Sequence, residues 1–479
     1  MKRSVLLMAT LLFGVLAGLG LTFAQTQSMR AQTTPSTKPN ILFVLTDDMR
    51  ASDLRYMPQT SKLLAGRGVK FTKAFVTNSL CCPSRATILR GQYAHNHQIL
   101  SNRPPLGGFD KVRSQGLEDS TIATWLDDAG YDTMLIGKYF NGYDNTTHVP
   151  LGWDEWHGYL GDYVQSDTYR INENGQIKTY DRSQIHDTDL FADKAATFLE
   201  STAGGVPFFM YLSTNAPHTP ALAAKRHQGM FSDVALPNPP SFNEADVSDK
   251  PEWMRNTPLL TPEEVDKLQL RYRQRLRSLQ SVDEMVGRLV GVLRQTGELS
   301  NTYIVFTSDN GLHLGEHRIN QKKWTAYEEA IHVPLLVRGP GVPRGVSRSQ
   351  MALNNDLAPT FTSWAGLTPP GFVDGRSLGP LLSASPPSSW RSALLVEHWL
   401  DENGDPYAAT IPDYTAVRTG RYLFVRYATG EVELYDLSND PYELESLHNT
   451  ASTELKERLG SRLDALEGCA AQSCRSAEN

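Results

Sequence analysis

Polar residues of a catalytic kind follow four short apolar segments that lie far apart in the sequence. Residues 41–45 lead to Asp47 and Asp48, residues 134–136 to Lys138, residues 208–212 to His218, and residues 303–306 to Asp309 and Asn310. The carboxyl ends of parallel strands lie along one edge of a sheet, and ligands bind at that edge. If the segments are such strands, we expect these side chains to converge on one site.

The acidic part of this set offers only oxygen ligands, from Asp47, Asp48, Asp309 and Asn310. Such ligands suit a hard cation such as calcium or magnesium and not a soft metal. The sequence contains no His and Cys cluster with zinc spacing. The plainer alternatives are a solvated Asp-Asp turn and a simple Asn-Gly turn. A turn, however, leaves Asp309 at a strand end unexplained.

The most specific segment is Leu-Cys-Cys-Pro-Ser-Arg-Ala-Thr-Ile-Leu-Arg-Gly, residues 80–91. Pro83 suits the first position of a helix, and Gly91 suits its end. Cys81 would then lie at the helix N-terminus, where free N–H groups and the helix dipole favour anions. A redox thiol of lowered pKa is the alternative. It lacks a partner in the usual Cys-x-x-Cys spacing.

The elements around these residues indicate an α/β protein. Five continuous apolar runs have strand length and suit a sheet buried on both faces: 41–45, 133–136, 208–212, 302–306 and 335–337. A long helix is predicted over 261–296, because Thr261 to Glu264 form a capping box and the apolar residues keep helical spacing up to Gly297. Strands that alternate with helices predict a mostly parallel sheet.

The pattern of predicted secondary structure changes after about residue 366. Three segments separated by Thr-Gly turns predict an antiparallel meander, over 414–417, 422–427 and 432–437, and a closing helix is predicted over 454–466. We therefore predict a catalytic domain over 39–365 and a smaller C-terminal α+β subdomain over 366–479. Near its end, Cys469 and Cys474 could close a small disulfide loop.

The N-terminus has the features of an export signal. Lys2 and Arg3 precede an apolar run over residues 5–23, which ends in a small-residue cleavage site. An uncleaved membrane anchor is the alternative, but the Gly and Ala interruptions favour removal. We predict a signal peptide over 1–24, a flexible leader over 25–38, and a secreted or periplasmic protein with no stable membrane association.

The composition excludes some partners. Apolar residues make up 40% and charged residues 21% of the 479 positions, as in ordinary globular proteins. The formal net charge of −7 argues against a nucleic-acid partner, which would need a basic stripe. A polyanionic substrate could still bind through a local basic pocket.

The segment Cys81-x-Pro83-Ser84-Arg85 resembles the motif of the formylglycine-dependent, type I sulfatases. The resemblance extends from residue 39 to about 447 and includes four further motifs: Ala-Pro-His-Thr-Pro at 216–220, Thr-Ser-Asp-Asn-Gly at 307–311, Val-Pro-Leu-Leu at 333–336, and Glu-Leu-Tyr-Asp-Leu at 433–437. It implies an alkaline-phosphatase-like fold, with a mixed, mostly parallel sheet flanked by helices. It also implies one calcium ion per chain and maturation by a formylglycine-generating enzyme.

The resemblance assigns a role to each candidate residue. Cys81 would become formylglycine, whose hydrate attacks sulfur while it contacts the calcium ion held by the four oxygen ligands. Arg85 would hold the hydrate, and Lys138 and Lys323 would bind sulfate oxygens. Lys323 is preferred to Lys322 because the family's lysine lies four residues before an aromatic residue. His218 would position the sulfate or protonate the leaving oxygen.

One departure points to a branch of the family. Many sulfatases carry a His two residues after the lysine equivalent to Lys138, where this chain has Phe140 followed by Asn141. The N-acetylglucosamine-6-sulfatase branch is similar to this chain there and at residues 95–97. We therefore predict that Asn141 and His97 contact the substrate, with a turn or cap role as the alternative for His97.

The segment 241–251 also resembles that branch. It follows His218 and could reach over the pocket, where Glu244, Asp246 and Asp249 could accept hydrogen bonds from a sugar. A solvated surface loop is the alternative. The predicted substrate is a sulfated glycan or small molecule such as N-acetylglucosamine 6-sulfate. An arylsulfatase, a related phosphoester hydrolase and a silent carbohydrate-binding protein are the other hypotheses, since the fold alone does not decide function.

Overall fold

The computed structural model describes residues 38–161, 163–401 and 406–479. The predicted signal peptide and almost all of the predicted leader lie outside these residues. Within the described part of the chain, no helix is both long enough and apolar enough to cross a bilayer.

The strands, in chain order, are β1 (Asn40–Thr46), β2 (Val69–Phe71), β3 (Ala74–Phe75), β4 (Asp132–Gly137), β5 (Glu155–Leu160), β6 (Thr168–Glu173), β7 (Gln176–Asp181), β8 (Phe208–Ser213), β9 (Thr302–Ser308), β10 (Leu335–Arg338), β11 (Val346–Arg348), β12 (Ala352–Leu353), β13 (Ala393–His398), β14 (Tyr414–Thr419), β15 (Tyr422–Tyr427) and β16 (Val432–Asp436). The α-helices are α1 (Pro58–Leu63), α2 (Cys81–Arg90), α3 (Ala94–His97), α4 (Phe109–Ser114), α5 (Ile122–Asp127), α6 (Asp187–Thr202), α7 (Glu252–Arg255), α8 (Pro262–Gln295), α9 (Glu328–Ile331), α10 (Leu357–Trp364), α11 (Thr453–Glu467) and α12 (Gln472–Ala477).

The large sheet has ten strands in the order β11-β2-β10-β9-β1-β8-β4-β5-β6-β7. Its centre, from β9 through β1, β8 and β4 to β5, is parallel. The predicted mixed, mostly parallel sheet is confirmed. The run at 335–337 does form a strand, but β10 is antiparallel to both β9 and β2. The connection from β9 to β10 contains one short helix, the one-turn α9, and no long crossover helix of the kind that usually joins parallel strands.

Helices cover both faces of the sheet. On one face α6 and α8 pack against β1, β4, β8 and β9, and on the other face α2, α5 and α10 close the core. The long helix begins as predicted, because Thr261 and Glu264 form the capping box at its N-terminus. Every residue of β1 is buried, which explains why its sequence is apolar throughout rather than alternating.

The C-terminal sheet is antiparallel, with the order β13-β14-β15-β16. The three predicted strands and the closing helix, α11, are confirmed, and β13 is an additional strand. This sheet shares one apolar core with α2 and the large sheet. The boundary near residue 366 stays a prediction. Cys469 and Cys474 form a disulfide that joins the end of α11 to α12.

Candidate active site

The sheet brings the predicted acidic residues together at its carboxyl edge. Asp47 and Asp48 follow β1, and Asp309 and Asn310 follow the neighbouring strand β9. Two backbone hydrogen bonds hold this edge, from Asp309 N to Thr46 O (3.0 Å) and from Asp47 N to Ala216 O (3.2 Å). Asp48 has a φ of 66°, and its N–H donates to the Asp309 carboxylate. Adjacent parallel strands therefore explain how residues 260 positions apart meet.

The oxygen atoms of this group are arranged as a cation would require. Ligand oxygens of Asp47, Asp48 and Asp309 all lie within 4.8 Å of one another, and the three residues are buried. The amide nitrogen of Asn310 donates to Asp48 over 2.6 Å. Its oxygen is buried and has no hydrogen-bond partner in the described part of the chain. Three buried carboxylates and an unpaired amide oxygen fit a hard cation, which would offset their repulsion.

Cys81 is the first residue of α2, and its side chain faces this group. The Sγ atom lies 3.5 Å from an Asp47 oxygen and 2.9 Å from Lys323 Nζ. The helix ends at Gly91, which takes a left-handed conformation with φ 69°. Pro83 is the third residue of the helix rather than the first. The helix begins two residues earlier because Leu80 already has extended backbone angles and accepts from Ser84 N.

The redox alternative for Cys81 does not fit its surroundings. Burial, together with the neighbouring Asp47 carboxylate, raises the pKa of the Cys81 thiol to about 12. A reactive thiol needs a lowered pKa. Cys82 is buried as well and forms no disulfide, and its backbone N–H donates to the Asn102 side chain over 2.8 Å. The geometry therefore distinguishes Cys81, which faces the acidic group, from Cys82.

Three cations surround the acidic group. Lys138 Nζ lies 2.5 Å from an Asp47 oxygen, and Lys323 Nζ donates to Asp48 and to Cys81. Arg85 is almost fully buried and donates through Nε to Asp309 over 2.9 Å. Its Nη1 atom donates to Ser213 Oγ (2.7 Å) and to the carbonyl of Lys138 (2.9 Å).

These cations decide where negative charge is held. Burial alone would raise the pKa of Asp47, but Lys138, with His218 and Arg85, holds it well below its ordinary value. Lys323 and His218 likewise lower the pKa of Asp48 against the effect of burial. Asp309 behaves differently, since burial and the nearby Asp47 raise its pKa despite Arg85. Asp47 and Asp48 therefore carry the most stable negative charges of the group.

His218 lies at the entrance to the group. Its Nε2 atom is 3.8 Å from an Asp48 oxygen, its Nδ1 atom is 2.6 Å from the Thr219 carbonyl, and about a third (32%) of its side chain is exposed. It lines a cavity of about 520 Å³ together with Asp48, Arg271, Lys323 and Trp324. The structure thus gives the buried acidic group an opening with a histidine and cations on its wall.

The two predicted substrate contacts lie in different settings. His97 is buried, its Nε2 atom is 3.0 Å from Thr87 Oγ1, and its Nδ1 atom accepts from the N–H of Ile99. Burial also lowers the pKa of His97 to about 3. The structure does not bring His97 to the site, and its contacts are those of the alternative turn role. Asn141 lies in the loop that follows β4 and Lys138, and its side-chain oxygen is buried without a partner among the described residues.

The expectation for the segment 241–251 is wrong. Glu244 is buried and lies 2.8 Å from His317 Nδ1, and Asp249 accepts from the N–H of Ser446 over 2.5 Å. Lys250 is fully buried and donates to Tyr435 Oη over 3.0 Å. Only Asp246 stays exposed, and it accepts from Ser248 N. Glu244 therefore binds the loop after β9, and Asp249 and Lys250 bind the C-terminal part of the chain, so these three side chains are engaged within the protein.

One positioning residue was missed in the sequence. Arg275 is fully buried on α8 and donates to the backbone oxygens of Asp48 (2.5 Å) and Pro217 (3.0 Å). It therefore joins the two loops that carry Asp48 and His218. The sequence did contain an indication of this role. Arg275 lies at helical spacing from Leu268 and Tyr272, on the apolar face of α8, where a charged residue is unusual.

Fold and site together define an α/β protein whose polar residues meet at the carboxyl edge of a buried, mostly parallel sheet. The Sulfatase family model matches residues 39–367. A second model, N-sulphoglucosamine sulphohydrolase, C-terminal, matches residues 315–468. The chain belongs to the sulfatase family, and its activity is that of a sulfuric ester hydrolase.

Several known proteins resemble the chain over most of its length. An N-acetylglucosamine-6-sulfatase from Homo sapiens is 34% identical, covering 91% of this chain and 86% of its own. An arylsulfatase from Volvox carteri is also 34% identical, with 91% and 76% covered. A structure solved with its substrate D-glucosamine-2-N,6-O-disulfate has a TM-score of 0.78 at 26% identity, covering 92% of this chain and 98% of its own.

Proposed function

We propose that this sulfatase removes the 6-sulfate of a glucosamine unit in a sulfated sugar, with a nucleophile made from Cys81. The observation that carries the proposal is the position of Cys81, which lies at the start of α2 between Asp47 and Lys323. The helix N-terminus and the lysine supply positive charge where a sulfate would bind. The human relative and the substrate of the solved neighbour support the choice of sugar.

Two groups complete the site in this proposal. Asp47, Asp48, Asp309 and Asn310 would hold one calcium ion, whose charge would polarise the sulfate ester. Conversion of Cys81 to formylglycine by a formylglycine-generating enzyme would replace the buried, weakly acidic thiol by a group that carries the attacking hydroxyl. The buried carboxylates and the unpaired Asn310 oxygen support the metal part.

The side chains around Cys81 have separable roles in this proposal. Lys138 and Lys323 would bind sulfate oxygens and stabilise the negative charge that grows there in the transition state. His218, at the opening of the cavity, would deliver a proton to the leaving sugar oxygen. Arg85 is engaged by Asp309 and Ser213, so it would fix the loops around Cys81 rather than move with the substrate.

A large basic groove favours an extended anionic substrate. The groove has a volume of about 1290 Å³ and adjoins the cavity at His218, because Arg271 lines both and Pro220 follows Thr219. Its wall carries more cations than acids, namely Arg182, Lys225, Arg226, Arg271 and Arg277 against Asp167 and Asp189. Such a wall would attract the sulfates and carboxylates of neighbouring sugar units.

The substrate is tested by comparing kcat/KM for N-acetylglucosamine 6-sulfate and for 4-nitrocatechol sulfate, corrected for leaving-group reactivity. A pocket that hydrogen-bonds sugar hydroxyls penalises an ester that lacks them, so the sugar should be preferred. Equal or higher values for the aryl ester would favour an arylsulfatase, the second candidate, which the Volvox carteri relative supports.

The groove has its own test. The double variant Lys225→Gln/Arg277→Gln should lower kcat/KM for a sulfated oligosaccharide several-fold and leave the value for the monosaccharide unchanged. Arg113→Gln removes an exposed cation outside the groove and serves as the matched control. An equal loss on both substrates would contradict a role of the groove in binding a longer chain.

Maturation and location are also proposals. A mass spectrum of the tryptic peptide that ends at Arg85 should show the loss of the thiol sulfur from Cys81. An unmodified peptide in active protein would remove the formylglycine assignment, and an unmodified peptide in inactive protein would favour the silent-binding alternative. We further propose that residues 1–24 direct export and are cleaved, which N-terminal sequencing of the mature protein would test.

A further inference from the structure

A second group of potential metal ligands shares no residue with the group beside Cys81. It consists of His317 in the loop after β9, Glu329 in α9, and Glu443 beyond β16. One ligand atom from each residue lies within 4.8 Å of the other two. The Nε2 atom of His317 is 4.0 Å from the Oε2 atom of Glu329. Two atoms that are each about 2.0–2.2 Å from one ion can be separated by such a distance.

Each of the three residues also has a buried side-chain atom without a hydrogen-bond partner among the described residues. His317 Nε2, Glu329 Oε2 and Glu443 Oε1 are buried and accept or donate no hydrogen bond within the described ranges. His317 is 0% exposed and Glu443 is 1% exposed. Buried polar atoms are normally paired, because an unpaired one loses its hydration without compensation. An unpaired atom on every member of one cluster points to a ligand that the three residues share.

The remaining atoms of these side chains are held in place. His317 Nδ1 lies 2.8 Å from Glu244 Oε2, and the ring stacks on Tyr327 with 4.2 Å between centroids. A carboxylate on Nδ1 orients the ring and leaves the Nε2 lone pair for a metal, the arrangement found behind many metal-bound histidines. Glu443 Oε2 accepts from the N–H of Glu328 over 3.1 Å, which leaves Oε1 for the ligand.

The pKa values of the three residues are compatible with a cation that binds in place of protons on the glutamates. Burial raises the pKa of Glu329 to about 8, with a contribution from Glu316, and raises that of Glu443 well above its ordinary value, with a contribution from Glu329. Burial also lowers the pKa of His317, to which Lys250 contributes. Arg50 faces Glu329, and Lys250 faces Glu443. Uptake of a cation would therefore release protons.

We propose that His317, Glu329 and Glu443 bind a divalent transition-metal ion of the zinc type, separate from the cation at Asp47. One imidazole nitrogen and two carboxylates are the ligands that zinc takes in many proteins, whereas calcium prefers six to eight oxygens. The ion would tie the loop after β9 and α9 to the C-terminal segment. The role is structural, because none of the three residues lines the cavity at His218.

The test is metal analysis of the full-length enzyme after equilibration with Zn²⁺ and Ca²⁺ and removal of free metal. The wild-type protein should hold one zinc ion per chain. His317→Gln and Glu443→Gln should lose zinc and keep calcium, whereas Asp309→Asn should lose calcium and keep zinc. His157→Gln is the control, since His157 is also buried and pairs with a glutamate, Glu155, outside the group. That variant should keep both ions.

A spectroscopic measurement makes the assignment independent of activity. Metal-free Asp309→Asn protein titrated with Co²⁺ should develop visible absorption at one equivalent, and the further change His317→Gln should abolish it. A folded wild-type chain that takes up no zinc would overturn the proposal, as would zinc or cobalt uptake that His317→Gln and Glu443→Gln leave unchanged. Neither result bears on the sulfatase activity, so the two proposals fail separately.

Discussion

The carboxylates beside Cys81 and those beside His317 are similarly buried but have different counter-charges. Asp47 and Asp48 each contact a lysine, and their pKa values are lowered although burial alone would raise them. Burial raises the pKa values of Glu329 and Glu443, and neighbouring carboxylates raise them further. Lysines thus favour the ionised form of Asp47 and Asp48, whereas Glu329 and Glu443 need a proton or a bound cation.

In the two proposals, this difference separates a group that takes part in the chemistry from a group that stabilises the structure. Lys323, which contacts Asp48, also lines the cavity at His218, where it is available to an incoming sulfate. At His317 the flanking cations bind inside the protein, and Lys250 donates to Tyr435 and to the Glu443 carbonyl. We therefore expect changes in the first group to alter turnover and changes in the second to alter stability.

The largest effect is expected at Cys81. Cys81→Ala should lower kcat by more than about a thousandfold, because the reaction loses its nucleophile. Cys82→Ala is the matched control and should keep most of the activity, since its thiol is a buried packing group. Full activity in Cys81→Ala together with an inactive Cys82→Ala would reverse the assignment.

A smaller but still large effect is expected at Lys323. Lys323→Ala removes a charge in contact with Cys81 and Asp48 and should lower kcat/KM by about 10²–10³-fold. Lys322→Ala should cause a smaller loss, because Lys322 lines the same cavity but its Nζ lies over the Trp324 ring, 5.8 Å from the centroid, whereas Lys323 contacts Cys81 and Asp48. If the two variants lose the same activity, the specific role of Lys323 is wrong.

The distinction between the two groups predicts that a change at His317 alters stability and leaves turnover nearly unchanged. His317→Gln should change kcat by less than about threefold but lower Tm by roughly a few degrees, because it leaves buried carboxylates without a common partner. Thermal unfolding and steady-state kinetics on one preparation measure both quantities. A large loss of kcat with an unchanged Tm would show that the group belongs to the catalytic machinery.

The last prediction concerns His95, a partly buried histidine that pairs with Glu397. Burial would lower its pKa, but the hydrogen bond to Glu397 raises it to about 9, from an ordinary value of 6.5. The folded state therefore binds this proton more tightly than the unfolded state. Its contribution to stability is fully present below pH 6.5 and is lost as the pH rises through about 9.

The size of the His95 effect should be roughly 1–3 kcal/mol in the free energy of unfolding. Denaturation measured between pH 6 and 10 should show a decline in the wild-type protein that His95→Gln flattens. His448→Gln provides the control, as a half-buried histidine near the C-terminal sheet. A decline of the same size in His95→Gln would exclude the Glu397 pair as its cause.

Much of the catalytic site could be predicted because its ligands are local to strand ends. Continuous apolar runs marked β1, β4, β8 and β9, and the polar residues immediately after them had to meet if those strands are parallel neighbours. The antiparallel direction of β10 and the additional strand β13 were not predictable in the same way. The direction of a strand depends on the path by which the chain returns to the sheet. The residue types within the strand do not determine that path.

The amino-acid sequence by itself determined the family and was enough to propose the nucleophile position and the oxygen ligands, since each depends on residue types at short, characteristic spacings. The tertiary structure alone decided the partners of Glu244, His317, Glu329 and Glu443, which come from segments up to about 200 residues apart. Whether a glutamate faces a sugar or a buried histidine depends on packing between the C-terminal sheet and the loops of the large sheet. Sequence spacing carries no information about that packing, because the burial energy is summed over many distant contacts.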